Sequence, residues 1–365
     1  MPVQALPPNP DLNHLKSQAK DLLRARASRD PQVAQRIREF HPRFHAVPDA
    51  SIFDARFRLS DAQLTIARER GFASWMRLKR HIEKPTLADQ LDLPHHERIE
   101  NLAFRHAVDL LDQGDVLNLH AHLNTHPHLV REHVMFEGGN YFRNPTLLAF
   151  VAENPVRRAT LPPNIVEVAK VILEAGAKED HSALNETLGL VCSGCVPRQC
   201  RVQIPLIDLL CAYGAEPASA IITALLHQEL EAVDALRGNG APFDVVLAAA
   251  LGRAEEVQRL LLASTSEKRH CALALASQYG QAEIVSLLLD AGEDPNRYNP
   301  IGIHAHSTPL HQAAAGGHDQ VVRLLVERGA RLDMKDTLWQ GTPADWARHE
   351  GKKDIEEYLQ ARGAS

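Results

Sequence analysis

The sequence predicts an all-α protein, most of it a solenoid of repeated helix pairs behind a small helical domain. Three observations carry this. Thr308-Pro309-Leu310-His311-Gln312-Ala313-Ala314 begins again 34 residues later as Thr342-Pro343-Ala344-Asp345-Trp346-Ala347, and both units close on Gly-Ala, at Gly329-Ala330 and Gly363-Ala364. Upstream of these, short apolar segments recur in pairs at helical spacing. Residues 1–84 hold helix-start signals and amphipathic spacing but no repeat.

In that first segment, Leu12, Leu15, Ala19, Leu22 and Leu23 mark an amphipathic helix. Asp30-Pro31 opens another, because proline at the first helical position forfeits only an N–H that would have lacked a partner there. Ser60-Asp61-Ala62-Gln63 reads as a capping box before Leu64, Gly71 as the stop of that helix, and Ser74-Trp75 as the start of the last one. The expected division is a helical domain over 1–84, a linker over 85–96 and a repeat domain over 97–365.

The repeats can be walked backwards. Ala272-Leu273-Ala274-Leu275-Ala276 and Ile284-Val285-Ser286-Leu287-Leu288-Leu289 form one pair; Val245–Ala250 and Val257–Leu262 form the pair before it. Ile221–Gly240, Ile207–Ala215 and Val168–Ala177 continue the series, and a degenerate copy starts near Glu100. About eight helix pairs result, with insertions at Asn154–Asn164 and Ser193–Gln203. The Thr-Pro-Leu-His turn, paired short helices and period resemble the ankyrin repeat. That resemblance implies an elongated solenoid whose repeats bury apolar surface against their neighbours and present a concave face. Within residues 1–84, Leu15-Lys16-Ser17-Gln18-Ala19-Lys20, Leu59–Gln63 and Arg70–Trp75 resemble the N-terminal region of many bacterial ankyrin-repeat proteins.

Composition narrows the function classes. The net charge of −6 conceals an asymmetry: residues 1–84 carry 16 Lys and Arg against 9 Asp and Glu, the remainder 24 against 37. The basic residues are spread along amphipathic helices and no nucleic-acid motif accompanies them, so nucleic acid is not the expected partner. No secretory signal and no apolar run of membrane-spanning length is found, which implies a cytoplasmic protein without a membrane partner. Cys192, Cys195, Cys200 and Cys211 have a spacing that four thiolates around zinc would use. In the repeat register, however, Cys192 falls on a small buried position and Cys211 on the last leucine of a second helix, so both are expected in the core. His120, His122, His126, His128 and His133 crowd one stretch, but His-Glu-x-x-His is absent. No metal and no cofactor are expected. The resemblance to ankyrin repeats implies that His311 hydrogen-bonds the backbone of neighbouring turns.

The connection Glu293–Ser307 is longer than its counterpart after Gly329 and ends in residue types that make directed contacts: Arg297, Tyr298, Asn299, His304 and His306. The next finger supplies Asp336, Trp339 and Gln340, and an earlier one Asn140, Tyr141, Phe142 and Arg143. Aromatic rings and arginines anchor interfaces. The expected function is recognition of a partner protein or peptide, with Tyr141, Arg143, Arg297, Tyr298, Asn299, His304, His306 and Trp339 as binding residues. The alternative is a small-molecule or catalytic site on the concave face, built from a subset of these. No nucleophile with its base, phosphate loop or other catalytic motif appears, so the chain reads as a binder rather than an enzyme. The other reading of the long finger is that Tyr298 and His304 merely hold its own backbone.

Overall fold

The computed structural model describes residue 6 and residues 10–82, 93–136 and 141–363. Most of the expected linker, and Asn140, lie outside the described residues. The chain separates into two compact units, residues 1–100 with 136–138, and residues 101–135 with 139–365. Among the described residues there is no strand.

The first unit contains α1 (Leu12–Ala27), α2 (Pro31–Phe40), α3 (Asp49–Asp54), α4 (Leu59–Glu69) and α5 (Trp75–Ile82). Asp30 caps α2 by accepting the Gln32 N–H at 2.9 Å, as the Asp-Pro signal requires. The box before Leu64 is displaced: α4 begins at Leu59, and the Asp61 carboxylate reaches back to the Arg58 N–H at 2.7 Å. Asp61 outcompetes Gln63 because a carboxylate is the stronger acceptor three residues after the cap. Leu15, Ala19, Leu22, Ile37, Ile52, Ile66 and Leu78 make the core. The basic excess is largely used internally. Arg26 donates to the carbonyls of Ile52 and Phe53, Arg36 holds the buried Glu69 carboxylate, and Arg38 donates to Val47 O.

The second unit is a solenoid of eight helix pairs. The first is α6 (Leu102–Gln113) with α7 (Val116–Thr125). A 3-10 turn, Leu147–Ala152, pairs with α8 (Ile165–Glu174). α9 (His181–Ser193) pairs with α11 (Gln203–Ala212), and the insertion between them folds as a short helix, α10 (Cys195–Gln199). α12 (Pro217–Leu226) and α13 (Leu230–Gly238), α14 (Val245–Ala250) and α15 (Ala254–Leu261), α16 (Ser266–Gln278) and α17 (Ala282–Asp290) follow. α18 (Pro309–Gly316) with α19 (Asp319–Glu327) and α20 (Pro343–His349) with α21 (Lys353–Gly363) complete the stack. First helices pack on first helices from α6 to α12 and again from α14 to α20, and second helices on second helices from α7 to α13 and again from α15 to α19.

Small residues set the spacing of the inner row. Ala248, Ala249, Ala272, Ala274, Ala276, Ala313 and Ala314 are all buried between neighbours. In the outer row Leu288 and Leu325 are fully buried. The core expectation for Cys211 fails: it is half-buried, like Leu289, while Leu262 is 96% exposed. The third leucine of the pattern lies about 100° further round the helix than the second and turns away from the seam. Cys192 does lie in the core, where burial pushes its thiol up.

Two devices hold the fingers. His311 donates from Nε2 to Gly341 O at 3.2 Å, while its Nδ1 accepts from Thr308 N and Oγ1 at 3.2 and 2.8 Å. Burial pulls this ring down to about 4, so it is neutral. Asp336 is fully buried, yet its carboxylate takes N–H bonds from Leu338, Trp339, Gly341 and the Trp346 indole at 2.9, 2.7, 2.8 and 3.1 Å. Burial alone would raise this carboxyl. The Trp339, Trp346, Gly341 and Leu338 hydrogen bonds outweigh it and hold the group at about 2.

Leu288→Ala or Leu325→Ala should cost about 2–5 kcal/mol, read as a lower denaturant midpoint, since each deletes buried volume at the seam between repeats. An unchanged midpoint would refute the register. Stability should also fall in two acidic steps. Unfolded His311 takes up a proton near 6.5 that the folded ring refuses down to about 4. Asp336 titrates near 3.8 when unfolded and near 2 when folded. Each therefore contributes stability above its unfolded value that is lost as pH falls toward the folded one. Unfolding midpoints followed by tryptophan fluorescence should show both steps, and His311→Gln should flatten the upper one.

Candidate functional site

The Glu293–Ser307 finger is a closed loop on its own hydrogen bonds. Asn299 N donates to Ser307 O at 2.8 Å, Ile303 N to Pro300 O at 2.9 Å, and Ser307 N to His304 O at 2.9 Å. Gln312, on the first turn of α18, donates to Ser307 Oγ at 2.9 Å and ties the loop to the helix row. His304 takes a positive φ of 48° at the bend, a conformation that costs a non-glycine residue energy and that these bonds hold. The finger is then joined to the next one. Tyr298 Oη donates to Lys335 O at 2.7 Å, Thr337 N to His306 O at 2.9 Å, and Asn296 bridges Gly329 O and Arg331 N at 3.0 and 2.7 Å.

Not all of the expected residues face solvent. Asn299 is buried beneath the finger, with its Oδ1 lacking a hydrogen bond. Arg297 lies 4.0 Å from the buried Glu293 carboxylate, which also accepts from Arg269 at 2.8 Å. Tyr298 is committed at both ends, since His270 donates to its carbonyl at 2.9 Å. His304, His306 and Trp339 line one cavity of about 710 Å³ together with Gln312, Gly341, Asp345, Trp346, His349 and Glu350. Burial pulls the His304 ring below the ordinary histidine value, and the nearby rings of His306 and His227 push the same way.

Tyr141 and Arg143 line a different cavity, of about 740 Å³, against α9 and α12. Tyr141 donates to Asn154 Oδ1, and Asn154 Nδ2 donates to Leu190 O and Ser193 Oγ at 3.0 Å each. A buried charge cluster anchors this wall. Arg157 lies over the Phe150 ring and bonds the Asp112 carboxylate at 3.1 and 2.8 Å, and Glu153 accepts the Arg157 and Ala159 N–H groups at 2.6 and 3.1 Å. Burial pushes the Tyr141 hydroxyl up. Thus the eight residues do not share one pocket. His227 lines this second cavity.

Sequence reading missed Asn154, His227, Asp336's anchoring role and Trp346. Trp346 was findable, because it stands 34 residues after Gln312, in the same register, where a small polar side chain has become an indole. Asn154 was not, because the inserted loop around it has no counterpart in other repeats. Among the described residues, no three His, Cys, Asp or Glu are placed to hold a metal ion, and all five cysteines are free. The histidine-rich stretch forms a ring stack: His122 and His126 are 4.5 Å apart, and His122 Nε2 bonds Ala103 O at 2.9 Å.

Residues 269–300 and 306–337 each match the model of the Ankyrin repeat family. The chain is 34% identical over 130 residues to cyclin-dependent kinase 4 inhibitor B of Bos taurus, covering 34% of this chain and 96% of that protein. It is 35% identical over 118 residues to cyclin-dependent kinase inhibitor 2A of Homo sapiens, covering 31% and 73%. Ankyrin repeat and SAM domain-containing protein 6 of Mus musculus is 37% identical over 98 residues, 27% of this chain and 11% of that protein. The 34-residue register, the inner row of small residues, the His311 turn and these matches agree: the chain belongs to the ankyrin-repeat family.

Proposed function

We propose that this chain is a recognition module that holds a segment of a partner protein along the concave face and finger edge of its repeats. One observation carries the reading. The two fingers at 293–308 and 330–342 are fixed to each other by backbone and side-chain hydrogen bonds, yet their tips leave Ile301 97%, Leu338 62% and Trp339 70% exposed. Ordered apolar and aromatic side chains held out into water have no packing use within the fold, and rigid aromatic anchors of this kind dominate protein interfaces. The relatives named as inhibitors of a cyclin-dependent kinase support a protein as the partner. In this reading His304, His306 and Trp339 form the main contact, Tyr141 and Arg143 extend it along the neighbouring cavity, and Arg297, Tyr298 and Asn299 hold the finger in shape.

A small-molecule site is the second reading, favoured by the perturbed His304 in a cavity of suitable size. It is the weaker one, because the exposed Ile301 and Leu338 lie outside that cavity's lining and a ligand confined to it would leave them unused. A cytoplasmic setting is supported by five free cysteines and by the lack of any described helix long and apolar enough to cross a membrane. A bacterial setting rests on the N-terminal motifs alone; the relatives matched in the repeats are animal proteins.

A photo-cross-linking amino acid at position 301 or 338 should capture protein in the native host, while one at Glu327, on an outer helix, should not. Ile301→Ser with Trp339→Ala should abolish capture from position 338 and leave the unfolding midpoint unchanged. Capture only from 327, or from none of the three, would remove the recognition face.

A further inference from the structure

The cavity beside the last two fingers has a chemical character of its own. His306, Trp339 and Trp346 pack on one another with ring centroids 5.3, 5.6 and 6.1 Å apart, one aromatic cluster on the side of the cavity. Trp346 packs edge-on against the His311 ring at 5.2 Å and is fixed. Trp339 is open to solvent on its other side. Gly341 lies so close beneath that a Cβ there would meet both Asp336 Oδ2 and Trp346 Cδ1 at 3.2 Å, so the floor has no room for a side chain.

The charge around these rings is negative. Asp345 and Glu350 are in the lining, and the buried Asp336 accepts the Trp346 indole N–H at the edge of that ring. Asp336 is satisfied by four N–H donors and not by a cation, so it keeps an unpaired negative charge beneath the lining residues Trp339, Gly341 and Trp346 that it bonds. Because the Trp346 indole N–H donates to this carboxylate, the ring is polarised toward a more electron-rich face. On the positive side, Arg348 is spent on Asp345 and Glu356 at 3.0 and 2.6 Å, and His349 contacts Glu350 at 3.1 Å. His304 and His311 are held toward the neutral form by burial. Electron-rich indoles beside unbalanced carboxylates attract a cation within about 6 Å of the ring centroids.

We propose that this cavity receives a lysine or arginine side chain projecting from the partner polypeptide. The inference rests on the recognition reading above and specifies the partner as one with a basic residue at the contact. The open faces of the aromatic cluster take the alkyl or planar part of such a side chain, and Glu350 and Asp345 attract its charge. The neighbouring exposed Ile301 and Leu338 then meet the residues flanking it.

The test uses the whole 365-residue chain and no natural partner. Capped pentapeptides of glycine with a central lysine, arginine or norleucine are titrated while the indole Nε1–H resonances of the three tryptophans are followed. The lysine and arginine peptides should move Trp339 and Trp346 but not Trp75, with apparent affinity about fivefold or more above norleucine. The effect should weaken with added salt, vanish in Trp339→Ala and survive in Trp339→Phe. Equal shifts with norleucine, movement of Trp75 as well, or no shift at all would each overturn the proposal. Choline is titrated alongside, and binding more than tenfold tighter than either peptide would reassign the cavity to a free small cation and overturn it too. Failure here with cross-links still formed at 301 removes the cation site alone; peptide shifts without those cross-links remove the recognition face and keep the cation site.

Discussion

Every helix pair in the repeat unit buries its apolar face only against the pairs before and after it. That constraint explains the inner row of alanines, which lets first helices approach closely, and the outer row of leucines, which fills the wider gap behind them. It also explains why Cys211 is half-buried despite its place in an apolar run: only residues facing a neighbouring pair are covered, and a step of one residue leaves that arc. A solenoid built this way has no single central core to shape a site. Binding surfaces must come from the parts that stacking does not use, which are the fingers and the solvent side of the first helices.

Those parts need their own means of staying ordered. The long finger supplies it with a closed set of backbone bonds between Asn299 and Ser307, and with Tyr298 and Thr337 linking it to its neighbour. Asp336 supplies it for the last finger, where one buried carboxylate gathers four N–H groups that would otherwise lack partners. The same residue thus acts twice. It fixes the loop that presents Trp339, and it places negative charge at the indole N–H edge of Trp346. Near the other end of the stack, Asp112, Glu153 and Arg157 do comparable work for the insertion that carries Asn154 and steadies Tyr141. Two anchored loops along one inner face make an extended surface, which suits a polypeptide segment better than a compact substrate.

The sequence alone determined the all-α class, the pairing of helices and the repeat register from Thr308 to Gly363, while the role of His311 followed from the resemblance to ankyrin repeats. Each depends on local spacing or on a turn whose hydrogen bonds close within a few residues, and such patterns are periodic and therefore readable. It also singled out the fingers as the place where polar and aromatic side chains collect. Only the tertiary structure decided which of those side chains are available. Asn299 and Tyr298 look equivalent to His304 and Trp339 in a string of residues, but backbone closure turns the first inward and ties the second to Lys335, while the stacking of one finger on the next brings His306 and Trp339 beside Trp346. Tyr141 and Arg143 belong to another cavity for the same reason: which loops meet is fixed by how far apart their repeats lie in the stack, a distance no local pattern records.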